Sequence, residues 1–481
     1  MMQESLLRLL RVSEGASLRD AMLSFNASGL GVALICDGDE RLVGFATEGD
    51  VRRALLDGHG LISPLISRAN RHPVVGHTAM SREELTGLLS EQVHCLPVLD
   101  EHGAVQDILF YNKKSVIPVA LPSIGERELR YVTDAVLSGW VSSRGKYIEM
   151  FEERFATLSE TTHAVAAANG TVALHLALSA LGIGPDDEVI VPALTFIATA
   201  NAVTYCHARP VFVDIEPTSW NLDPEQVEAA ITPRTRAIVP VHLYGQPCRI
   251  DRIMQIAQAR KLWVVEDAAE ALGATFNGRP VGSFGHMGIF SFYGNKNITT
   301  GEGGAVVTND AALNDRLRIL RDHGMSPNRR YWHDTVGFNY RMTNIQAALG
   351  VAQLERWQEL SQAKARIGQR YGECSANEHL MAAPGWPESQ AVCWLFTMML
   401  NPDTVGIERD ELLRRLAALG VDGRPTFFPL PAMPPYFEAD WMTRYPVTRR
   451  VSTYGFSLPS YVDMTERDLD RVIESTLSLV G

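Results

Sequence analysis

The chain has no Cys-x-x-C pair: its six cysteines, Cys36, Cys95, Cys206, Cys248, Cys374 and Cys393, are scattered, so neither a disulfide scaffold nor a thiolate zinc site is written into it. A reduced, cytoplasmic chain without a metal is the expectation. An excess of positive charge is also missing, since 44 Lys and Arg against 56 Asp and Glu leave −12 at pH 7. That balance neither neutralises a phosphate backbone nor docks on anionic lipid, so nucleic acid is not an expected partner. No run reaches the roughly 18 uninterrupted apolar residues of a membrane span. Met1 to Gly15 is rich in leucine, but Arg8 and Arg11 interrupt it and no small-residue cleavage site follows. An amphipathic helix is expected there, not a secretion signal. What the chain does have is a globular composition, 46% apolar and 21% charged over 481 residues, which is more than one core usually serves.

An internal repeat appears when the first segment is slid about 63 positions along the chain, which lays Asp37 on Asp100. The first copy has an amphipathic helix (Leu18, Met22, Phe25), an apolar strand Val32 to Ile35, a polar turn Asp37 to Glu40 and a second strand Leu42 to Phe45. The second copy runs through Leu85, Leu88 and Leu89, then Leu96 to Leu99, the turn Asp100 to Gly103, and Ala104 to Phe110. Two such copies, each with one apolar sheet face, are expected to cover each other. Thr47-Glu48-Gly49-Asp50 opens the helix after the first copy, where a hydroxyl and a carboxylate suit a ribose and a phosphate. Capping of that helix by Thr47 or Asp50 uses the same residues without any ligand.

Residues 1–115 resemble a pair of cystathionine-β-synthase (CBS) domains, and Thr47 to Arg53 is similar to the signature of that family. The resemblance implies an adenine nucleotide held by Thr47 and Asp50. The second copy departs from it, because Phe110-Tyr111-Asn112-Lys113 puts lysine where the aspartate belongs, leaving at most one intact site. Assembly of the protein, without nucleotide sensing, is the competing expectation.

Near residue 116, after Ser115, a longer α/β alternation begins and runs to Gly481. Helices are expected at Glu126 to Ser138, Tyr147 to Leu158, Thr171 to Leu181, from Ala198, and through Asp251 to Arg260. Strands are expected at Glu188 to Val191, Pro210 to Val213, Ala237 to Val241, Leu262 to Glu266, Gly288 to Phe292 and Gly304 to Thr308. Such alternation builds a largely parallel sheet covered on both faces, with ligands at the C-terminal strand ends. Four segments fall at such ends. Asn169-Gly170-Thr171 opens an apolar helix and offers free N–H groups, a dipole and a hydroxyl to a phosphate, although Asn-Gly before a helix is common. Val264 to Glu270 delivers Asp267 to a strand edge beside small residues, which a purely structural carboxylate also explains. Lys296 follows an apolar strand within a Gly/Thr-rich loop, where partial desolvation lowers its pKa as a Schiff-base lysine requires. Gly337 to Asn344 presents Asn339 and Arg341 before another helix, as an ordinary helix-leading loop does.

In this order and spacing, and with Ser138 to Gly145, Val191 to Ala202 and Val241 to Gln246, the segment from about Leu121 onward resembles the DegT/DnrJ/EryC1/StrS nucleotide-sugar aminotransferases. The resemblance implies the aspartate-aminotransferase (type I) fold, with a large cofactor-binding part at about 121–360 and a small part at about 361–481. It implies pyridoxal 5'-phosphate as cofactor, cycling through pyridoxamine phosphate. By the same resemblance Lys296 is the catalytic lysine, Asp267 pairs with the pyridine nitrogen and Phe196 stacks on the ring. Gly170, Thr171 and Ser291 hold the phosphate, and Asn339 reaches it from the neighbouring subunit of a homodimer, or of a larger assembly built on one. Glu270 stands where the family often has Gln facing the phenolic oxygen, so a second carboxylate there needs a shared proton. Ser143, Tyr293, Arg329 and Arg341 are candidate substrate contacts. The stretches Phe292 to Gly304, Asp322 to Pro327, Arg329 to His333, Phe338 to Asn344 and Thr426 to Leu430 look most like the subgroup that moves the amino group of L-glutamate to C4 of GDP-4-keto-6-deoxymannose for surface polysaccharide. A UDP- or dTDP-linked ketosugar is the alternative substrate. A nucleotide sensor using the fused domain as a scaffold is the alternative function, against which Lys296 and Asp267 stand.

Overall fold

The computed structural model of the chain describes residues 4–90, 92–110 and 116–481, and the polypeptide divides into two units, Met1–Val116 and Ile117–Gly481. In the first unit α1 (Glu4–Leu10) is shorter than its leucine content suggests, because the chain turns extended at Arg11 to enter a sheet. Strands β1 (Arg11–Ser13), β2 (Val32–Cys36) and β3 (Leu42–Thr47) lie in that order, with β1 parallel and β3 antiparallel to β2. Strands β4 (Gly76–His77), β5 (Cys95–Leu99) and β6 (Val105–Phe110) repeat the arrangement.

The repeat extends to single bonds. Asp37 Oδ1 accepts the N–H groups of Asp39 and Arg41, and Asp100 Oδ1 accepts those of His102 and Ala104, all at 2.9 Å. Both turns are thus closed by an aspartate side chain bonding its own backbone. The register slips between Ile35 and Cys36 and again between Val98 and Leu99, and Arg41 bridges its repeat equivalent Ala104. Val32, Leu34 and Cys36 of one sheet share a buried cluster with Cys95, Val105 and Ile108 of the other, so the two apolar faces cover each other. Helix α2 (Leu18–Ser28) buries Leu18, Ala21 and Phe25 on one helical stripe, which turns Met22, expected inside, out to 40% exposure. Tyr111, Asn112 and Lys113, like Ser115 at the expected boundary, lie outside the described residues.

The second unit is built on a seven-stranded sheet: β7 (His163–Ala167), β8 (Glu188–Pro192), β9 (Arg209–Val213), β10 (Thr235–Ile238), β11 (Trp263–Asp267), β14 and β15. Here β14 is Met287–Ser291 and β15 is Gly304–Thr308, while β12 (Thr275–Phe276) and β13 (Arg279–Pro280) form a small hairpin beside the sheet. The spatial order is β7-β15-β14-β11-β10-β8-β9, and β15 alone runs against its neighbours. Alternate strand residues enter opposite cores: Val165, Ala167, Val191 and Ile289 pack on one face, Ala164, Ala166, Phe290 and Val307 on the other. That two-sided burial is what a mostly parallel sheet needs. Beyond residue 360 a smaller sheet, β16 (Leu380–Ala382), β18 (Phe396–Leu400), β20 (Gly455–Leu458) and β19 (Arg424–Pro425), encloses a separate core, while β17 (Ser389–Gln390) pairs with β12.

Candidate active site

Two strand ends, a helix start and a loop meet at one cavity of about 700 Å³. Strand β11 ends on Asp267 and β14 on Ser291, and the helix Gly170–Ala180 begins beside them, its first turn capped by Asn169, whose Oδ1 accepts Val172 N at 3.0 Å. A Cβ on Gly170 would lie 2.9 Å from that of Ser291, so only glycine lets the helix start approach the strand end this closely. Gly170, Thr171, Phe196 and Asp267 line the cavity, and so do Glu270, Ser291, Tyr293 and Lys296.

Charge within the cavity is governed by burial. The Asp267 carboxyl, 6% exposed, is pushed above its ordinary pKa by desolvation, against which Thr199 Oγ1 donates to Oδ2 at 2.8 Å and Ala269 N–H to Oδ1 at 3.2 Å. Glu270 is pushed up to about 7 by the same desolvation, although the nearby Lys296 charge and a 2.9 Å bond from Tyr244 N–H to Oε2 favour its ionised form. Its Oε1 lies 3.8 Å from Lys296 Nζ. Burial lowers the pKa of the Lys296 amine, and the Glu270 and Asp267 carboxylates resist that shift. Glu266, next to Asp267 but on the opposite strand face, is fully buried and accepts bonds from Gly282, Phe284 and Gly285 N–H and from His242 Nε2. Since His242 Nδ1 accepts Cys248 N–H, the imidazole carries its proton on Nε2.

Other residues singled out in the sequence lie elsewhere. Asn339 Oδ1 accepts Arg341 Nε at 3.0 Å, and Arg341 is paired with Asp322 at 2.9 Å. Arg329 stacks on Trp332, its guanidinium 4.3 Å from the ring centroid. Ser143 borders a different depression, with Arg144, Arg318 and Arg321. The chain therefore does not bring Ser143, Arg329, Asn339 or Arg341 to its own cavity. In the first unit, Thr47 and Asp50 form a capping box on the helix Glu48–Leu56: Asp50 Oδ2 accepts Thr47 N–H at 2.8 Å and its hydroxyl at 2.7 Å, and Asp50 N–H donates back to Oγ1 at 3.3 Å. Asp50 also pairs with Arg53 at 2.5 Å.

Thr199 and Tyr244 also line the cavity and fall within stretches that carry the family likeness, where neither has an expected role, and Trp394 lines it from outside every such stretch. Trp394, Tyr244 and Phe427 form a ladder along the wall, with centroids 6.2 Å and 5.3 Å apart and planes tilted 11° and 22°, and Phe196 continues it at 5.8 Å. Phe427 falls within a stretch of subgroup likeness, whereas Trp394 reaches the cavity from the segment that leads into β18.

Free N–H groups and hydroxyls at a helix start, a buried carboxylate, an exposed aromatic face on Phe196 and a desolvated amine are the donor set that pyridoxal phosphate requires. Comparison with known proteins agrees. The DegT/DnrJ/EryC1/StrS aminotransferase family matches residues 122–477 and the CBS domain matches residues 6–57. The chain is 48% identical to the GDP-perosamine synthase of Caulobacter vibrioides, over 74% of this chain and 96% of that one. It is 43% identical to the GDP-perosamine synthase of Escherichia coli O157:H7, over 75% and 97%. Among solved structures, DesV from S. venezuelae, in complex with a ketimine intermediate, superimposes with a TM-score of 0.69 at 37% identity, covering 73% of this chain and 93% of that one. The PLP form of a Streptococcus pneumoniae protein assigned as a sugar aminotransferase gives 0.71 at 30% identity, covering 76% and 100%. The chain belongs to the DegT/DnrJ/EryC1/StrS aminotransferase family and is a pyridoxal-phosphate-dependent aminotransferase with a CBS domain near its N-terminus.

Proposed function

We propose that the enzyme moves the amino group of L-glutamate to C4 of GDP-4-keto-6-deoxymannose, giving GDP-perosamine for a surface polysaccharide such as an O-antigen. The observation that carries this reading is the 48% and 43% identity to two GDP-perosamine synthases over nearly their whole lengths.

The chain's own residues divide the work. Gly170 and Thr171 N–H groups, with the Ser291 hydroxyl, bind the cofactor's phosphate at the positive end of the helix dipole. Asp267, oriented by Thr199 and Ala269, holds a proton on the pyridine nitrogen. Pyridoxal phosphate, when bound, supplies a carbonyl that condenses with amines and a ring that delocalises the electron pair left by deprotonation. Lys296 Nζ would carry the proton off the glutamate α-carbon in the first half of the reaction and bring one to the sugar's C4 in the second. Desolvation helps it by keeping a fraction of the amine uncharged. Glu270, neutral below about 7, can donate its proton toward the cofactor's phenolic oxygen, which removes the repulsion a second carboxylate would bring.

The same reading takes a second copy of the chain as partner, Asn339 completing the phosphate site of the neighbouring subunit. Near the N-terminus the capping box supports an architectural role for Thr47 and Asp50 over an adenine nucleotide site. Adding L-glutamate and then GDP-4-keto-6-deoxymannose to the cofactor-loaded protein tests the proposal. Loss of the cofactor's long-wavelength absorbance and its return with the sugar are expected; loss without return would remove that sugar from the reading.

A further inference from the structure

Lys296 meets an aromatic face as well as carboxylates. Its Nζ lies 3.8 Å from the centroid of the Trp394 ring, the same distance that separates it from Glu270 Oε1. Trp394 is 4% exposed and is fixed at both ends. Its indole Nε1 donates to the carbonyl of Asn295, the residue before Lys296, at 2.9 Å. Its own carbonyl accepts from the buried Lys364 Nζ at 2.7 Å, and Lys364 donates also to the Ser460 carbonyl. Tyr244 stacks nearly parallel to the indole. A ring held by its backbone carbonyl, its N–H and a stacked neighbour cannot turn away, so its negative face stays directed at the amine.

We propose that Trp394, fixed by Lys364 and by the Asn295 carbonyl, is the positioning residue of Lys296, holding the amine against its indole face opposite Glu270 and favouring the ammonium form. The inference rests on the reading of Lys296 as the reactive lysine. The charges that face this amine are Glu270 and Asp267; Glu302 and Arg424 line the same cavity, and Lys364 borders a second, small pocket together with Lys296 while donating to the Trp394 carbonyl. Two carboxylates favour the ammonium and desolvation opposes it. A cation–π contact in a water-poor site is large enough to shift that balance measurably. The indole also ties the lysine-bearing loop to the smaller sheet across a sequence separation of 99 residues, so the amine's place is set by both parts of the catalytic unit.

The test uses the full-length protein freed of cofactor, with Lys296 reductively methylated by formaldehyde and cyanoborohydride across a pH series and quantified by mass spectrometry. The amine reacts and the ammonium does not, so the pH midpoint of labelling reports the ammonium's stability. Trp394→Phe retains a weaker aromatic face and loses the N–H, and Trp394→Leu retains only apolar bulk. The proposal expects the midpoint to fall in the order Trp, Phe, Leu, by about one pH unit in total. A purely structural role would change labelling rates without moving the midpoint, and an unmoved midpoint in Trp394→Leu, with Trp394→Phe also unmoved, overturns the proposal. In parallel, borohydride trapping of pyridoxal phosphate on the wild-type chain reports the underlying assignment. Trapping at Lys296 with unmoved midpoints refutes the role of Trp394 alone, whereas trapping at another lysine refutes both.

Discussion

Replacing Thr199 by Val removes one hydroxyl from the proposed cofactor site and leaves its shape almost unchanged. The Thr199 hydroxyl donates to Asp267 Oδ2 at 2.8 Å, and its loss leaves that carboxyl with the Ala269 N–H at 3.2 Å on the other oxygen. A hydrogen bond to a buried charged group is worth about 1.5–3 kcal/mol. Part of that loss is shared by the cofactor-free protein, so pyridoxal phosphate is expected to bind about tenfold more weakly. The sign of the pH dependence follows from the same bond. Burial already raises the pKa of Asp267, and the hydroxyl opposes that by favouring the carboxylate. Without it the carboxyl protonates at higher pH, and a neutral carboxyl cannot hold the pyridinium proton by charge. Cofactor affinity in Thr199→Val should therefore fall away at higher pH than in the wild type as the solution is acidified, and Thr199→Ser should restore the wild-type profile. Absorbance titration of the cofactor-free protein with pyridoxal phosphate at a series of pH values measures this. A Thr199→Val protein with wild-type affinity and an unshifted profile would refute the argument that Thr199 sustains the charge on Asp267.

Further outcomes follow from the same geometry. Glu270→Gln should keep the cofactor but lose the step in its absorbance expected between about pH 6 and 8, where the wild-type carboxyl, raised to about 7, passes from neutral below to charged above; a step that survives would place the titration elsewhere. On the proposed sharing of sites between two subunits, Lys296→Ala and Asn339→Ala proteins, each impaired alone, should regain about a quarter of wild-type activity when unfolded and refolded together, because half of the dimers would be mixed and each of these would carry one intact site. No recovery would remove Asn339 from the neighbouring site. Asp50→Ala should speed amide exchange across Glu48–Leu56 about fivefold through loss of a cap worth about 1 kcal/mol, with the rate of amino transfer unchanged.

Much of this architecture was legible because local chemistry and fold agree. Lys296 and Asp267 each follow an apolar strand, and strand ends are where a parallel sheet presents ligand groups. The repeat near the N-terminus was legible in Asp37 and Asp100, whose side chains close their turns by bonds that the sequence pattern encodes. Strand β7 was not, since His-Ala-Val-Ala-Ala has little β-branched character and is a strand only because β15 pairs along its whole length. The antiparallel course of β15 follows from its return after β14 through the lysine loop, a feature of pairing that residue periodicity does not carry. The contacts of Thr199 and Trp394 were not legible for another reason: they meet Asp267 and Asn295 across 68 and 99 residues, and only tertiary packing decides such contacts. Met22 shows the converse error, an apolar residue at nearly the right spacing that falls just off the buried stripe.

The most direct test of the proposed reaction supplies the full-length, cofactor-loaded enzyme with ¹⁵N-labelled L-glutamate and GDP-, dTDP- and UDP-linked 4-keto-6-deoxy sugars, and locates the label in the product by NMR. The account predicts ¹⁵N on C4 of the GDP-linked sugar, with the other two nucleotides turned over far more slowly. Label on C3, or faster turnover of a dTDP- or UDP-linked sugar, would contradict it.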